Sequence, residues 1–251
     1  MERTKTGVKG LDELLKGGIP KNAVVLVSGA AGSGKTIFGL QFLVNGITEF
    51  GEKGMFVTFE ESQEDVTSQA AQFGWNLEKL EAEGKLKIMT FTPSKHHLSH
   101  INSEIENAIN SFKPSRLVYD SISTIGVYAE VIADVETLMS LGLKKEDIAV
   151  ELPPETITRR AVMDIMGKLK SSQLTSLVVS ELPKKSDYLS RDTISEFIAD
   201  GIILLHCLEK KEKKIRAIEV LKMRRTDHSM DLVPIILGEK GIEVLIGEKV
   251  Y

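Results

Sequence analysis

The chain has one cysteine, few aromatic residues and no excess of positive charge. Because Cys207 has no partner in the chain, no internal disulfide can form, and a lone thiol is typical of a reducing compartment. Cys207 lies in the apolar run 202–208, so we expect it to be a buried strand residue. The formal net charge of -4 disfavours a protein whose main task is non-specific binding to nucleic acid.

Long hydrophobic runs are also missing. No stretch approaches the ~18 consecutive apolar residues that a membrane-spanning helix needs. The opening residues MERTKTGVKG lack the apolar segment of a signal peptide, so we predict a cytoplasmic protein with no membrane partner. A chain of 251 residues that is 42% hydrophobic and 27% charged can bury a sizeable core, and we expect a single domain over 1–251.

Apolar runs of strand type alternate with helical periodicity through most of the chain. The predicted strands are Val24 to Ser28, Met55 to Phe59, Leu86 to Phe91, Leu117 to Tyr119 and Leu177 to Val179. From Ile202 onward, several strands follow one another without helices and are joined by charged turns. This order predicts an α/β fold with a mainly parallel central sheet flanked by helices and extended by C-terminal antiparallel edge strands.

One segment interrupts the alternation. Residues 128–155 contain Gly142, two adjacent lysines and the pair Pro153 and Pro154, all of which disfavour a long regular element. We therefore interpret 128–155 as an insertion, followed by a helix from Arg159.

The segment GAAGSGKT matches the phosphate-binding P-loop pattern and occurs once. It lies between a predicted strand and a predicted helix, where backbone N–H groups and the helix N-terminus favour a phosphate. Lys35 supplies positive charge and Thr36 a hydroxyl for Mg²⁺, so we predict ATP and Mg²⁺ as cofactors. The predicted nucleotide-binding residues here are Gly29, Ala30, Ala31, Gly32, Ser33, Gly34, Lys35 and Thr36.

Acidic residues follow two of the predicted strands. Asp120 is a candidate Mg²⁺ ligand, with a turn or cap residue as the alternative. Glu60 and Glu61 are candidates for activating water, with a solvated cluster before the helix that Ser62 caps as the alternative. Hydrolysis of ATP requires both kinds of carboxylate.

Four motifs in the same order resemble the KaiC family within the RecA and RadA superfamily. They are TGVKGLDELLKGGIP at 6–20, FEES at 59–62, LVYDSIS at 117–123 and VLKMRRTDHS at 220–229. The resemblance covers nearly the whole chain outside the insertion. It implies a RecA-like P-loop NTPase fold, a catalytic pair at Glu60 and Glu61, and a Walker B residue at Asp120.

The resemblance also implies a ring, commonly a hexamer, with nucleotide between neighbouring subunits. In such a ring Lys222 and Arg224 would reach the γ-phosphate of the adjacent protomer, and His228 would lie near the base or ribose. Considered alone, these basic residues are a solvated strand end. Ser180 and Glu181 match the position where RecA-like proteins sense nucleotide state, and a plain polar strand exit is the alternative.

The sequence also departs from this family. Arg225 and Thr226 replace its usual Gly and Ser, and Asn22 stands where a glycine is usual. The clock protein of the family has two such domains in tandem, whereas this chain has one P-loop, so a circadian phosphorylation cycle is not supported.

Three functions remain open at this point. The first is an ATP-hydrolysing, oligomeric regulatory switch or motor. The second is a protein resembling a RadA paralogue that binds single-stranded DNA or a recombinase partner and modulates recombination or repair. The third is a non-hydrolysing scaffold that uses ATP to hold its oligomer together.

Overall fold

A computed structural model describes residues 1–92, 98–126, 153–182, 188–210 and 213–250. The strands are β1 Arg3–Thr4, β2 Ile19–Pro20, β3 Val24–Gly29, β4 Gly54–Thr58, β5 Leu86–Thr90, β6 Arg116–Asp120, β7 Thr175–Glu181, β8 Gly201–Lys210, β9 Lys213–Met223, β10 Val233–Gly238 and β11 Gly241–Val244. The helices are α1 Leu11–Leu14, α2 Lys35–Phe50, α3 Gln63–Ala71, α4 Leu77–Ala82, α5 Leu98–Phe112, α6 Pro154–Ser171 and α7 Ser195–Ile198, with a 3₁₀ turn at Ile122–Thr124.

The central sheet has nine strands in the order β11-β10-β9-β8-β3-β7-β6-β4-β5. The strands from β8 to β5 in this order run parallel. The other three, β9, β10 and β11, extend the sheet as antiparallel hairpins. The predicted fold class is therefore confirmed. A separate two-stranded sheet of β1 and β2 was not predicted.

Apolar side chains pack on both faces of this sheet. Within β3, Val25 and Val27 belong to the cluster under α2, whereas Val24 and Leu26 belong to the cluster under α5 and α6. A strand buried on both faces reads as a continuous apolar run, as the sequence of β3 does. This packing fixes β3 at the centre and holds its carboxyl end, where the P-loop begins, against the sheet.

Local signals around α3 were interpreted correctly. The Ser62 side chain accepts from the Asp65 backbone N–H, and the Asp65 side chain accepts from the Ser62 backbone N–H, which forms a capping box at the predicted cap Ser62. Glu60 and Glu61 therefore stand directly before a capped helix.

Two local predictions were wrong. The proline pair begins a helix instead of breaking one, because Pro154 occupies the first turn of α6, where a missing N–H costs nothing. Residues 153–155 of the predicted insertion thus form the start of a helix. The rest of the predicted insertion, 128–152, lies outside the described residues. Cys207 is exposed on β8 and is not a buried strand residue.

Among the helices of the described residues, none is long and apolar enough to cross a membrane.

Candidate functional site

The P-loop connects the end of β3 to the start of α2. Gly34 has φ 100° and caps α2, a backbone conformation that favours glycine. A Cβ on Gly29 would lie 2.5 Å from Ser33 Oγ and from the Leu205 carbonyl oxygen, so only glycine fits there. The loop therefore turns tightly between strand and helix, with Ala31 and Gly32 exposed at its tip.

Lys35, the first residue of α2, turns back toward this loop. Its Nζ donates to the carbonyl oxygens of Gly29 at 2.9 Å and Ala30 at 3.0 Å. Burial lowers the pKa of Lys35, and the negative charges of Asp120, Glu181 and Glu60 oppose that shift. The ammonium is thus placed where phosphate oxygens would compete with the two carbonyls for its protons.

Asp120 ends β6 and faces the first turn of α2. Thr36 Oγ1 donates to Asp120 Oδ2 at 2.8 Å, which brings both predicted Mg²⁺ ligands together. Burial raises the pKa of Asp120 to about 7; the Thr36 hydrogen bond opposes this shift, and the carboxylates of Glu60 and Glu61 add to it. The site therefore gathers carboxylates whose mutual repulsion a cation would relieve.

Glu60 and Glu61 have different surroundings. Glu60 Oε1 accepts from Ser121 Oγ at 2.5 Å and from Thr124 Oγ1 at 2.9 Å. Glu61 Oε1 accepts from Gln69 Nε2 at 2.8 Å, and its buried Oε2 has no hydrogen-bond partner among the described residues. Two hydroxyl groups thus orient Glu60, while Glu61 is held from α3.

Ser180 and Glu181 are the last residues of β7, and β7 pairs with β3. The register sets Glu181 opposite Gly29. Buried Ser180 Oγ lies 3.2 Å from Ser123 Oγ, and Arg191 Nη1 lies 3.4 Å from Glu181 Oε2. Both residues therefore border the P-loop and the segment after β6, and their role in sensing nucleotide stays a prediction.

Lys222 and Arg224 lie at the other end of the sheet. Met223 pairs with Gly201, and Gly201 pairs with Val25 near the start of β3. The P-loop follows Gly29, so about 13 Å of strand separates the two levels. The basic pair of one chain therefore does not reach the P-loop of the same chain.

Backbone and carboxylate oxygens hold this basic pair. Lys222 Nζ donates to the carbonyls of Glu196 at 3.0 Å and Ala199 at 2.8 Å, and Arg224 Nη1 lies 3.3 Å from Asp200 Oδ1. Burial and the nearby charge of Arg224 lower the pKa of Lys222, and Asp200 opposes this.

His228 follows in the same loop. Its Nδ1 lies 3.0 Å from the Ser229 carbonyl oxygen, and the Ser229 N–H donates to the Leu14 carbonyl at 3.0 Å. The backbone of this loop is thus held against α1. Arg225, which replaces a usual glycine, has φ 62°, and Asn22 has φ 64°.

Several residues near the site were not predicted. Ser121 directly follows Asp120 and Thr124 lies in the 3₁₀ turn just after it, and this proximity was the only available signal for them. Gln69 lies within α3 and donates to Glu61 from eight residues further along the chain. Arg216 on β9 donates to the Gly32 carbonyl at 3.3 Å, a contact across the sheet that no local pattern indicates.

The residues fit a magnesium nucleotide. Mg²⁺ prefers oxygen ligands and takes one or two from protein, with phosphates and waters completing its shell. Thr36 and Asp120 offer such oxygens beside the P-loop. In the described part of the chain, no group of three or more His, Cys, Asp or Glu side chains could hold a metal ion by itself.

The sheet order, the P-loop and the acidic strand ends define a RecA-like P-loop nucleotide-binding protein. The family model for the KaiC ATPase matches residues 4–141 and 147–249. The chain belongs to this family.

Individual relatives agree with that placement. The chain is 31% identical over 252 aligned residues to the circadian clock oscillator protein KaiC of Prochlorococcus marinus strain MIT 9313, covering 97% of this chain and 46% of the relative. For the protein of that name from Nostoc sp. strain PCC 7120 the identity is 30%, covering 97% and 44%. The chain thus spans about half the length of the curated relatives it matches.

A solved structure matches nearly the whole chain. The crystal structure of a KaiC-like protein from Pyrococcus horikoshii OT3 superposes with a TM-score of 0.81 at 35% identity. It covers 97% of this chain and 99% of the other.

Proposed function

We propose that the protein hydrolyses ATP as an oligomeric switch or motor, with each nucleotide bound between two copies of the chain. The observation that carries this proposal is the cluster of Lys35, Thr36 and Asp120 beside the P-loop, with Thr36 and Asp120 joined at 2.8 Å. Glu60 and Glu61 stand at the adjacent strand end. Family membership supports ATP binding and an ATPase domain.

The first task of the site is to hold the triphosphate. Backbone N–H groups around Gly29 to Thr36 surround the phosphates, and the N-terminus of α2 favours their negative charge. Lys35 exchanges its two carbonyl partners for phosphate oxygens. Thr36 and Asp120 would hold Mg²⁺, which supplies charge neutralisation at the phosphates when bound.

The second task is to prepare the attacking water. Glu60 is the better candidate because two hydroxyl groups fix its carboxylate and its charge acts on both Lys35 and Asp120. It accepts a hydrogen bond from water and aims the oxygen at the γ-phosphorus. In this role Glu61 shapes the local field, with its carboxylate oriented by Gln69.

The third task requires a second copy. About 13 Å along the strand direction separates Lys222 and Arg224 from the P-loop of their own chain. These two residues can therefore contact a γ-phosphate only when it is bound to a neighbouring copy. A head-to-tail arrangement of copies closes into a ring or extends into a filament. We propose a closed ring, with a hexamer as the expected size and His228 near the base or ribose.

Turnover of ATP with and without single-stranded DNA tests the proposal. We expect Mg²⁺-dependent release of phosphate that DNA does not stimulate, and loss of that release in the Glu60→Gln, Glu61→Gln double variant. Stimulation by DNA would instead favour the recombination role. Binding of ATP with no turnover at all would favour the scaffold role and contradict this proposal.

Assembly supplies an independent test. Light scattering should report a multiple of the 27.7 kDa chain mass in Mg·ATP. A strict monomer with and without nucleotide would exclude a site shared between two copies. Localisation in the cytoplasm stays a prediction from the sequence.

A further inference from the structure

Arg116 is an arginine buried to 1% exposure at the first position of β6. Full burial is rare for arginine. The last residue of the same strand is Asp120, in the candidate site. A buried charge thus stands at one end of the strand whose other end faces the P-loop.

Within the described residues, the hydrogen bond, ion pair and ring contacts of the Arg116 side chain are made with the second half of α2 or the turn after it. Nη1 donates to the Phe42 carbonyl at 2.9 Å, and Cζ lies 4.5 Å from the Phe42 ring centroid and 5.4 Å from that of Phe50. Nε pairs with the carboxylate of Glu52. The guanidinium therefore binds the C-terminal part of α2, the helix that begins with Lys35.

Between the two ends, α2 lies directly on β6. A Cβ added at Gly39 would stand 2.8 Å from Val118 Cγ1, and one added at Gly46 would overlap Nε, Cδ and Cζ of Arg116. These two glycines let the helix approach the strand more closely than any other residue would. Thr36 and Asp120 then meet at 2.8 Å at the far end.

This arrangement is a costly way to fill a core. Burial lowers the pKa of Arg116, although the Glu52 hydrogen bond and charge oppose the shift, and Nη2 has no hydrogen-bond partner among the described residues. Apolar side chains of similar volume often replace buried ion pairs without loss of stability. Stability alone therefore does not explain an arginine here.

We propose that Arg116 is a positioning residue for ATP hydrolysis. Together with Glu52, Arg116 fixes the position of α2 on β6. Because the helix is stiff, this position also determines where Lys35 and Thr36 lie relative to Asp120. A displacement of about 1 Å in a catalytic group can slow a reaction by about 10²-fold. The inference rests on the proposed function and adds a determinant of its geometry.

Two substitutions remove the ion pair between Arg116 and Glu52 in different ways. Arg116→Met keeps an apolar stem in the core, and Glu52→Gln leaves the guanidinium but removes its ionic partner. For both we expect kcat to fall by about tenfold or more, while the Kd for Mg²⁺-free ADP changes by less than roughly threefold. Arg116→Lys, which retains the charge, should recover part of the lost kcat.

A third variant lifts the helix without deleting a charge. Gly46→Ala puts a methyl group against the Arg116 guanidinium and should reproduce the kcat defect. Gly167→Ala is its matched control, since Gly167 lies within α6 and a Cβ there meets nothing within 4 Å. It should leave kcat unchanged.

Circular dichroism and thermal unfolding of each variant separate positioning from folding. Should Arg116→Met fail to fold, Gly46→Ala and Glu52→Gln decide the matter. Folded variants whose kcat stays within about twofold of the wild type would overturn the inference. Failure of the proposed function looks different, because the wild-type protein itself would then show no turnover.

Discussion

The two ends of the central sheet differ in the sign of their charged groups and in how completely those groups are paired. At the carboxyl end, Glu61 has an unpartnered oxygen within the described residues and burial raises the pKa of Asp120 to about 7. At the other end, carbonyls and Asp200 satisfy Lys222 and Arg224. The acidic groups at the carboxyl end are therefore incompletely paired, whereas the basic groups at the other end have hydrogen-bond and ionic partners.

Asp200 is the central partner at the basic end of the sheet. Burial alone would raise the pKa of Asp200, but hydrogen bonds from the Val24 N–H, Lys170 and Arg224 lower it. This network presents the basic pair on a fixed platform. The acidic end therefore needs added positive charge, and the basic end can offer it only where two copies meet.

The largest expected effect comes from the basic end. Arg224→Ala should slow ATP turnover by ~10³-fold, because it removes transition-state charge stabilisation, and should leave ATP binding largely intact. Steady-state phosphate release and calorimetry measure the two quantities. Lys21→Ala is the control, since Lys21 pairs with Glu2 at an exposed position at 2.7 Å. Unchanged turnover in Arg224→Ala would remove the role of this residue.

The acidic end should be stabilised when its charge is removed. With a folded pKa of about 7 against 3.8, Asp120 binds its proton more tightly in the folded protein, so the resulting stability is full at low pH and is lost as pH rises through about 7. Asp120→Asn should therefore raise the free energy of unfolding of the nucleotide-free protein by up to about 4 kcal/mol at pH 8.5. The gain should shrink to roughly 2 kcal/mol at pH 5.

Urea unfolding at both pH values, without Mg²⁺, measures this gain. Asp227→Asn at an exposed position serves as the control and should change stability by less than about 0.5 kcal/mol. A gain that does not depend on pH would show that Asp120 is not strained by burial.

A smaller difference should separate the two glutamates. Glu60→Gln should lower kcat by about 10²-fold, since it removes the carboxylate that Ser121 and Thr124 orient. Glu61→Gln should lower kcat by about tenfold, through the local field alone. Single-turnover rates at saturating Mg·ATP provide the measurement. The reverse order would assign water activation to Glu61.

The smallest effect concerns the loop of the basic end. Arg225 has φ 62°, where a side chain is disfavoured, so Arg225→Gly should stabilise the protein by about 0.5 kcal/mol after the added entropy of the unfolded chain. Asn22→Gly is the matched change at φ 64° and should be nearly neutral, because asparagine tolerates this region. Thermal unfolding distinguishes the two, and equal shifts would contradict the strain at Arg225.

Local patterns were enough to predict the parallel core and the residues that the strands carry to one edge. Asp120 and Glu60 follow apolar runs, and the carboxyl ends of parallel strands meet at that edge. Contacts across the fold were beyond such patterns. Arg116 beneath α2 and Arg216 beside Gly32 depend on which strands become neighbours, and neither has a sequence neighbour that indicates its partner.

Departures from the family pattern also had a physical meaning that sequence alone did not give. At Arg225 and Asn22 the resemblance to the family implies glycine, and both residues adopt positive φ. Both residues therefore hold a backbone conformation that glycine adopts more readily.

The most direct test mixes two inactive variants. Lys35→Ala lacks a working P-loop but retains Lys222 and Arg224, whereas Arg224→Ala has the reverse defect. If nucleotide binds between copies, mixed assemblies should regain turnover, up to about a quarter of the wild-type value when interfaces form at random. Mixtures that assemble yet stay as inactive as the separate variants would contradict a site shared between two chains.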